Sequence, residues 1–356
     1  MIFSVLGRYF FTRYLITVGW FFFGVISIIY LIDFSEVIGN ISVEAGQGTT
    51  DAMLITALRL PYILQQTVPF IALFSAMVAL IALNRRNELV VTRSAGISVW
   101  QFIMPFVIGA ALLGAASVVA LNPLASWTQK KALGLEAIGH GQDQTVPWLR
   151  QLTDGQDTII GGRGIAESGT ELLQAVVIYF DDQGALFKRQ DAERAVLSNG
   201  WWTLYDVTET EVGELSTHRD EVRVKTNLDE QFVQQNLVQP DLVSIFALPR
   251  QIDLARQFGI SSKALETQYN YLLSLPFLLV AMTLIAATVC LKFSRFAQSP
   301  AVILGGILSG FLLYVTSVLV KAFGSSGVLS PLLAAWIPVV VAMALGLTIL
   351  LHQEDG

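Results

Sequence analysis

Residues 62–83 read YILQQTVPFIALFSAMVALIAL, a stretch without one charged side chain. A helix that crosses a hydrocarbon core of about 30 Å needs ~20 mostly apolar residues. Lipid offers the backbone no hydrogen-bond partners, so a lone apolar run of this length spans as a helix. Five more runs have the same character: Leu15–Ile32, Val99–Leu121, Tyr271–Leu291, Ala301–Val320 and Leu332–Leu351. Three runs precede the polar stretch between Asn122 and Glu266, and three follow it. The expected fold is a membrane α-helical body of six transmembrane helices, arranged 3+3, interrupted by one soluble all-β insert. The domain boundaries read from this are 1–121 for the first three helices, with a cytoplasmic segment at about 84–98, then 122–266 for the insert and 267–356 for the last three helices.

Only 14% of residues are charged, against roughly 25% in an ordinary soluble domain, and most of those lie in the insert. The net charge of −6 comes mainly from that insert, so electrostatics argue against a nucleic-acid partner. Cys290 is the one cysteine, and no disulfide can form within the chain. Arg8 and Arg13 precede the first apolar run as they would in a signal peptide. That run exceeds the usual 7–15 residues and ends in no small-x-small site, so it reads as a retained helix.

Basic residues set the expected orientation. Arg8 and Arg13, then Arg85, Arg86 and Arg93, then Lys292 and Arg295 all fall on one side of six alternating helices. The opposite short loops carry Asp33, Glu36, Glu44 and Asp51, with Arg59 and Lys321 their only bases. The positive-inside rule places both termini in the cytoplasm and the insert outside. Within the insert, Glu171–Asp181, Ala185–Leu197, Trp201–Thr210 and His218–Thr226 read as strands separated by turn residues, which predicts an antiparallel sandwich or a partly open barrel. The glycines within 159–164 read as a turn; no helix follows them, so they make no phosphate cradle. Residues 240–259 read as partly helical.

No P-loop, HExxH or cysteine pair is present, and His140, His218 and His352 are far apart in sequence. The middles of the helices are almost free of charge, since Arg59, Lys321 and Asp33 lie near ends. Ion-coupled carriers usually place ionisable groups in those middles. An energised function would therefore draw on an outside motor. Residues 84–98, NRRNELVVTRSAGIS, make a short amphipathic segment. Asn87 can cap a helix with Glu88 in its first turn, Leu89, Val90 and Val91 form an apolar patch, and Gly96 suits the helix end. Such a segment is either a simple interfacial loop or a knob that inserts into a cytoplasmic ATPase. Gly306 and Gly310 form a small-residue pair in the fifth run, where another helix can approach closely, either as a permanent seam or as one that opens.

The 3+3 runs, the β-rich insert and ELVVTRSAGIS after Arg85-Arg86 together resemble the LptF/LptG permeases of the Gram-negative lipopolysaccharide exporter. The resemblance covers essentially the whole length, and the last two runs with the tail HQEDG look closer to LptG than to LptF. It implies a non-catalytic permease subunit in the bacterial inner membrane, with the insert a periplasmic jellyroll-like domain. The implied partners are an LptF-like permease, an LptB-like ATPase dimer, an LptC-like bitopic jellyroll protein, and lipopolysaccharide itself. No cofactor is expected on this chain; ATP and Mg would belong to the partner ATPase. The coupling segment maps onto Arg85, Arg86, Glu88, Leu89, Val90, Arg93 and Gly96, with Glu88 meeting the ATPase. The substrate gate maps onto Phe22, Tyr30, Asp33, Gly306 and Gly310. Members often carry bases at the outer end of the first helix. This chain has Tyr30, Glu36 and Val37 there, and Lys130 and Lys131 are the replacements for headgroup contact. The competing readings are a membrane-anchored assembly or receptor protein with a β domain, and an independent secondary carrier.

Overall fold

The computed structural model describes residues 5–40, 49–139, 148–153, 156–162, 164–165, 171–180, 186–198, 200–211, 216–226, 240–257, 261–290 and 300–355. The helices, in chain order, are α1 (Val5–Asn40), α2 (Thr49–Arg85), α3 (Glu88–Ser94), α4 (Val99–Ala116), α5 (Asn122–Gly139), α6 (Leu248–Gln257), α7 (Lys263–Cys290), α8 (Pro300–Ser325) and α9 (Pro331–Asp355). A π turn over Ser117–Leu121 joins α4 to α5, so one helical rod runs from Val99 to Gly139. Among the described residues, six helical spans are long and apolar enough to cross a membrane: α1, α2, the α4–α5 rod, α7, α8 and α9.

The spans differ in how much of their apolar surface the chain itself covers. In α2 and α7, 61% of the apolar window is buried, against 6% in α1, 17% in α8 and 33% in α9. The central pair is α2 with α7, because the core-facing positions of α2 include Ala72, Ala76 and Ala79, which let neighbouring helices come close. α1 docks on α4 through aromatic rings: Tyr14 lies 5.4 Å from Phe106, and Phe10 lies 6.4 Å from Phe102. Gly109 makes room for Tyr14, since a Cβ there would lie 2.5 Å from its ring. Where α4 crosses α7, a Cβ on Gly114 would lie 2.4 Å from the Cα of Pro276. The peripheral helices leave open apolar faces, as helices bathed in lipid do.

The insert holds β1 (Leu149–Thr153), β2 (Gln156–Gly161), β3 (Gly164–Ile165), β4 (Glu171–Phe180), β5 (Leu186–Ser198), β6 (Trp201–Glu211) and β7 (Thr217–Lys225). They form one antiparallel sheet in the order β1-β2-β4-β5-β6-β7, with β3 also paired to β4. The four strands legible in sequence are β4 to β7. The stretch 159–164 is more than a turn: residues through Gly161 complete β2 and pair with β4, and Gly164 opens β3. Only tertiary pairing reveals this, because Gly161-Gly162 breaks the local alternation. Nor do the described strands divide into the two facing sheets of a sandwich.

The pairing of the sheet is interrupted along one line. Pairing steps from Leu173↔Arg194 to Ala175↔Ala192, from Arg194↔Tyr205 to Ala192↔Val207, and from Tyr205↔Glu221 to Val207↔Arg219. One residue per strand is passed over at the same level, and two of these, Gln174 and Asp206, have left-handed φ of 48° and 56°. Such irregularities sharpen twist, and here they are aligned across four strands. The inward face is apolar at one end of this line, around Trp202, Leu204, Leu197 and Leu172. At the other end Ile160, Val177 and Val207 are still buried, but a polar cluster joins them. Tyr179 donates to Gln190 at 2.9 Å, Gln190 donates to Glu209 at 2.8 Å, and Lys188 pairs with Glu209 and Glu211.

Glu209 is 6% exposed. Burial alone would raise its carboxyl, but hydrogen bonds from Lys188 and Gln190, with the charges of Lys188 and Arg219, outweigh it and hold the group below the usual carboxylate range. A depressed folded value means stability that is present above the unfolded carboxylate pKa and lost as pH falls through the folded value. Hydrogen exchange of β5 and β6 is therefore expected to quicken relative to β4 as pH drops below ~4. Glu209→Gln is expected to remove that acid-specific loss; identical acid sensitivity in the variant would refute it.

Candidate functional site

The α2–α4 connection is built by two left-handed residues. α2 ends at Arg85, and Asn87, at φ 57°, turns the chain so that α3 starts at Glu88. Asparagine tolerates this conformation better than most residues. The Asn87 carbonyl accepts from the Val91 N–H at 3.0 Å, so Asn87 opens α3 through its backbone. At the far end Gly96 has φ 79°, and Ile97 donates back to the Thr92 carbonyl at 3.3 Å. This is a Schellman closure with glycine at the left-handed position. Because a Cβ on Gly96 would meet nothing within 4 Å, Gly96→Ala costs backbone strain alone, about 1 kcal/mol. It is expected to show as faster exchange of the Ile97 amide, with the α2 and α4 cores unchanged.

Leu89 pins α3 to the bundle with no exposed surface, while Val91 stays 64% exposed. α3 thus carries an apolar knob on its outer side. Glu88, partly exposed, accepts from the Tyr9 hydroxyl of α1 at 3.3 Å and lies 4.0 Å from Arg86. Arg85 and Arg86 are exposed. The side chains of Val90 and Arg93 lie outside the described ones.

At the opposite end of the helices, α1 and α2 meet around an ion pair. Asp33 is buried and lies 3.3 Å from Arg59, and Tyr30 stacks on Phe34 at 6.2 Å and 3°. Phe22 is half-buried against the bundle core. Gly306 and Gly310 turn inward within the chain: Cβ atoms there would meet Val289 of α7 at 2.8 Å and Leu73 of α2 at 2.4 Å. The structure therefore pairs Asp33 with Arg59, sets Tyr30 against Phe34, and seats the two glycines on α7 and α2. Lys130 and Lys131 are exposed on α5, and the Lys131 ammonium sits 4.1 Å above the Trp127 ring.

A half-open chamber of about 190 Å³, lined by polar and apolar side chains including Leu275 and Val318, lies where residues 240–245 return from the sheet. Tyr62, Gln65 and Gln66 of α2, Gln268 and Tyr271 of α7, and Tyr314 and Lys321 of α8 face it together with Asp241. Lys321 donates to Asp241 at 2.7 Å and lies 4.6 Å above the Tyr271 ring. Asn122 holds the returning segment, because its Oδ1 accepts from the Ile245 N–H at 2.8 Å and its amide reaches Gln65 at 3.4 Å. Sequence reading missed this chamber, although Gln65-Gln66 between Pro61 and Pro69, and a lone lysine late in α8, were its visible traces.

These features define a class: a multi-pass membrane protein of six candidate spans, carrying an inserted antiparallel sheet and a short surface helix between its second and third spans. Within that class, a family model described as "Lipopolysaccharide export system permease LptF/LptG" matches residues 8–352, and the chain belongs to this family. The chain is also 26% identical over 289 residues to the lipopolysaccharide export system permease protein LptG of Haemophilus influenzae, a match that covers 77% of this chain and 79% of that protein.

Proposed function

We propose that this chain is a transmembrane permease subunit of an ATP-driven lipopolysaccharide exporter, lifting lipopolysaccharide out of the outer leaflet of the inner membrane and passing it to a periplasmic β bridge. The family match over residues 8–352 is the observation that carries this reading. Both termini and α3 face the cytoplasm, and the sheet, as part of a jellyroll-like domain, faces the periplasm. α3 offers Val91 and Glu88 to an LptB-like ATPase dimer, which binds the ATP and Mg; this chain hydrolyses none. An LptF-like permease closes the cavity against the open faces of α1 and α8, and an LptC-like protein continues the β path. Withdrawing a buried acyl chain into water costs about 0.8 kcal/mol per CH₂, so extraction needs a closed apolar path and an external energy source. Phe22 lies midway along the gate helix, Tyr30 and Asp33 lie near its outer end, and Lys130 and Lys131 meet headgroup phosphates.

Photo-crosslinking in the reconstituted complex tests this. A benzophenone residue at Phe22 or Tyr30 is expected to capture lipopolysaccharide in an ATP-dependent manner. Failure of the chain to assemble with LptB- and LptF-like partners into an active ATPase would refute the exporter reading. Capture confined to other faces would relocate the gate only.

A further inference from the structure

Arg13 of α1 and Arg86, just past the end of α2, open into one cavity of about 130 Å³. Its remaining walls are Thr17 and the α2 side chains Val78, Ala79, Ala82 and Leu83, none of which carries charge. Two guanidinium groups lining one small space give it a positive potential that favours an anion, although water reaches Arg86, whose side chain is 60% exposed. Glu88 neutralises them poorly, lying 4.0 Å from Arg86 and accepting from Tyr9 as well. Among the described residues Arg13 has no carboxylate partner. The guanidinium fork matches phosphate oxygens in pairs.

Beyond the cavity, the shallow groove where α1 packs along α2 carries apolar side chains. Four residues further along each helix from Thr17 and Val78 lie Phe21 and Phe74, stacked at 6.2 Å and 14°. Both rings are partly exposed, and Val78 is 46% exposed. A phosphate seated between the arginines would have an acyl chain lying over Val78 and the two rings. Basic pockets between spanning helices are suited to phosphate-bearing lipid headgroups. A soluble phosphate would engage the arginines and leave the groove unused.

We propose that Arg13, Arg86 and the α1–α2 groove bind an anionic phospholipid of the leaflet on the α3 side. Only the naming of that leaflet as cytoplasmic rests on the proposed function; the binding does not. The test uses the full-length chain alone in nanodiscs of phosphatidylcholine doped with phosphatidylglycerol, with retained lipid read by native mass spectrometry after release. Phosphatidylglycerol is expected to be retained over phosphatidylcholine, to fall several-fold in R13Q/R86Q, and to be largely kept in R13K/R86K. Val78→Trp fills the groove while leaving both arginines in place, and is expected to lower lipid retention without weakening the binding of inorganic phosphate itself. Unchanged phosphatidylglycerol in R13Q/R86Q overturns the site. Complete displacement by inorganic phosphate, with no effect of Val78→Trp, overturns the lipid in favour of a soluble anion. If R13Q/R86Q does not fold, Val78→Trp decides, and undiminished lipid in that variant overturns the proposal.

Discussion

Gly114→Val is expected to unseat the α4–α5 rod from α7. A Cβ at this position would lie 2.4 Å from the Cα of Pro276 and 3.1 Å from its nitrogen. Both are backbone atoms, so no rotamer change relieves the clash, and valine adds two branches to it. Overpacking of this kind costs about 3 kcal/mol or more. Because α7 is one of the two most enclosed helices, the loss spreads to the whole bundle. The measurement is thermal unfolding and monodispersity in detergent, with Gly305→Ala as the comparison. A Cβ on Gly305 meets nothing within 4 Å, so that variant is expected to hold or gain up to about 1 kcal/mol from helix propensity. Wild-type stability in Gly114→Val would show that α4 and α7 do not cross at this point.

Glu88→Ala is expected to give the largest functional loss for the smallest structural change. Its carboxylate is partly exposed on the first turn of α3, next to the exposed Val91, and its contacts within the chain are long: 3.3 Å to Tyr9 and 4.0 Å to Arg86. Removing it therefore barely affects the fold of α3, which Leu89 anchors. If Glu88 meets a cation of the ATPase, losing a charge-assisted bond of about 1.5–3 kcal/mol weakens docking by roughly tenfold or more. Co-purification with the ATPase and lipopolysaccharide-stimulated turnover are the readouts. Tyr9→Phe, which removes only the 3.3 Å contact, is expected to change both far less. Equal docking by Glu88→Ala and the wild type would remove Glu88 from the interface.

Much of α3 was legible in sequence because its signals are local. Asn87 and Gly96 each act on their own few peptide groups, Glu88 marks the first turn, and the two left-handed residues sit where the helix needs them. Strands β4 to β7 were legible for the same reason, since alternation and turn residues mark them. β2 was not, because its glycines read as a turn and only β4 supplies its hydrogen-bond partners. Asp33 with Arg59, Lys321 with Asp241, and Arg13 with Arg86 share no local signal. Each pair joins residues on different helices or on a returning loop.

Hydropathy alone determined that this chain has six candidate spans, three on each side of one polar insert, because the cost of an unbonded backbone in lipid depends on run length and not on neighbours. Which face of each helix turns inward was decided only by the packed structure. In lipid every side of a span can be apolar, so periodicity carries little information about rotation, and close approaches such as Gly114 on Pro276 set it instead. That rotation fixes whether the small residues of α8 meet α7 and α2 or a partner, and whether two arginines distant in sequence share one cavity.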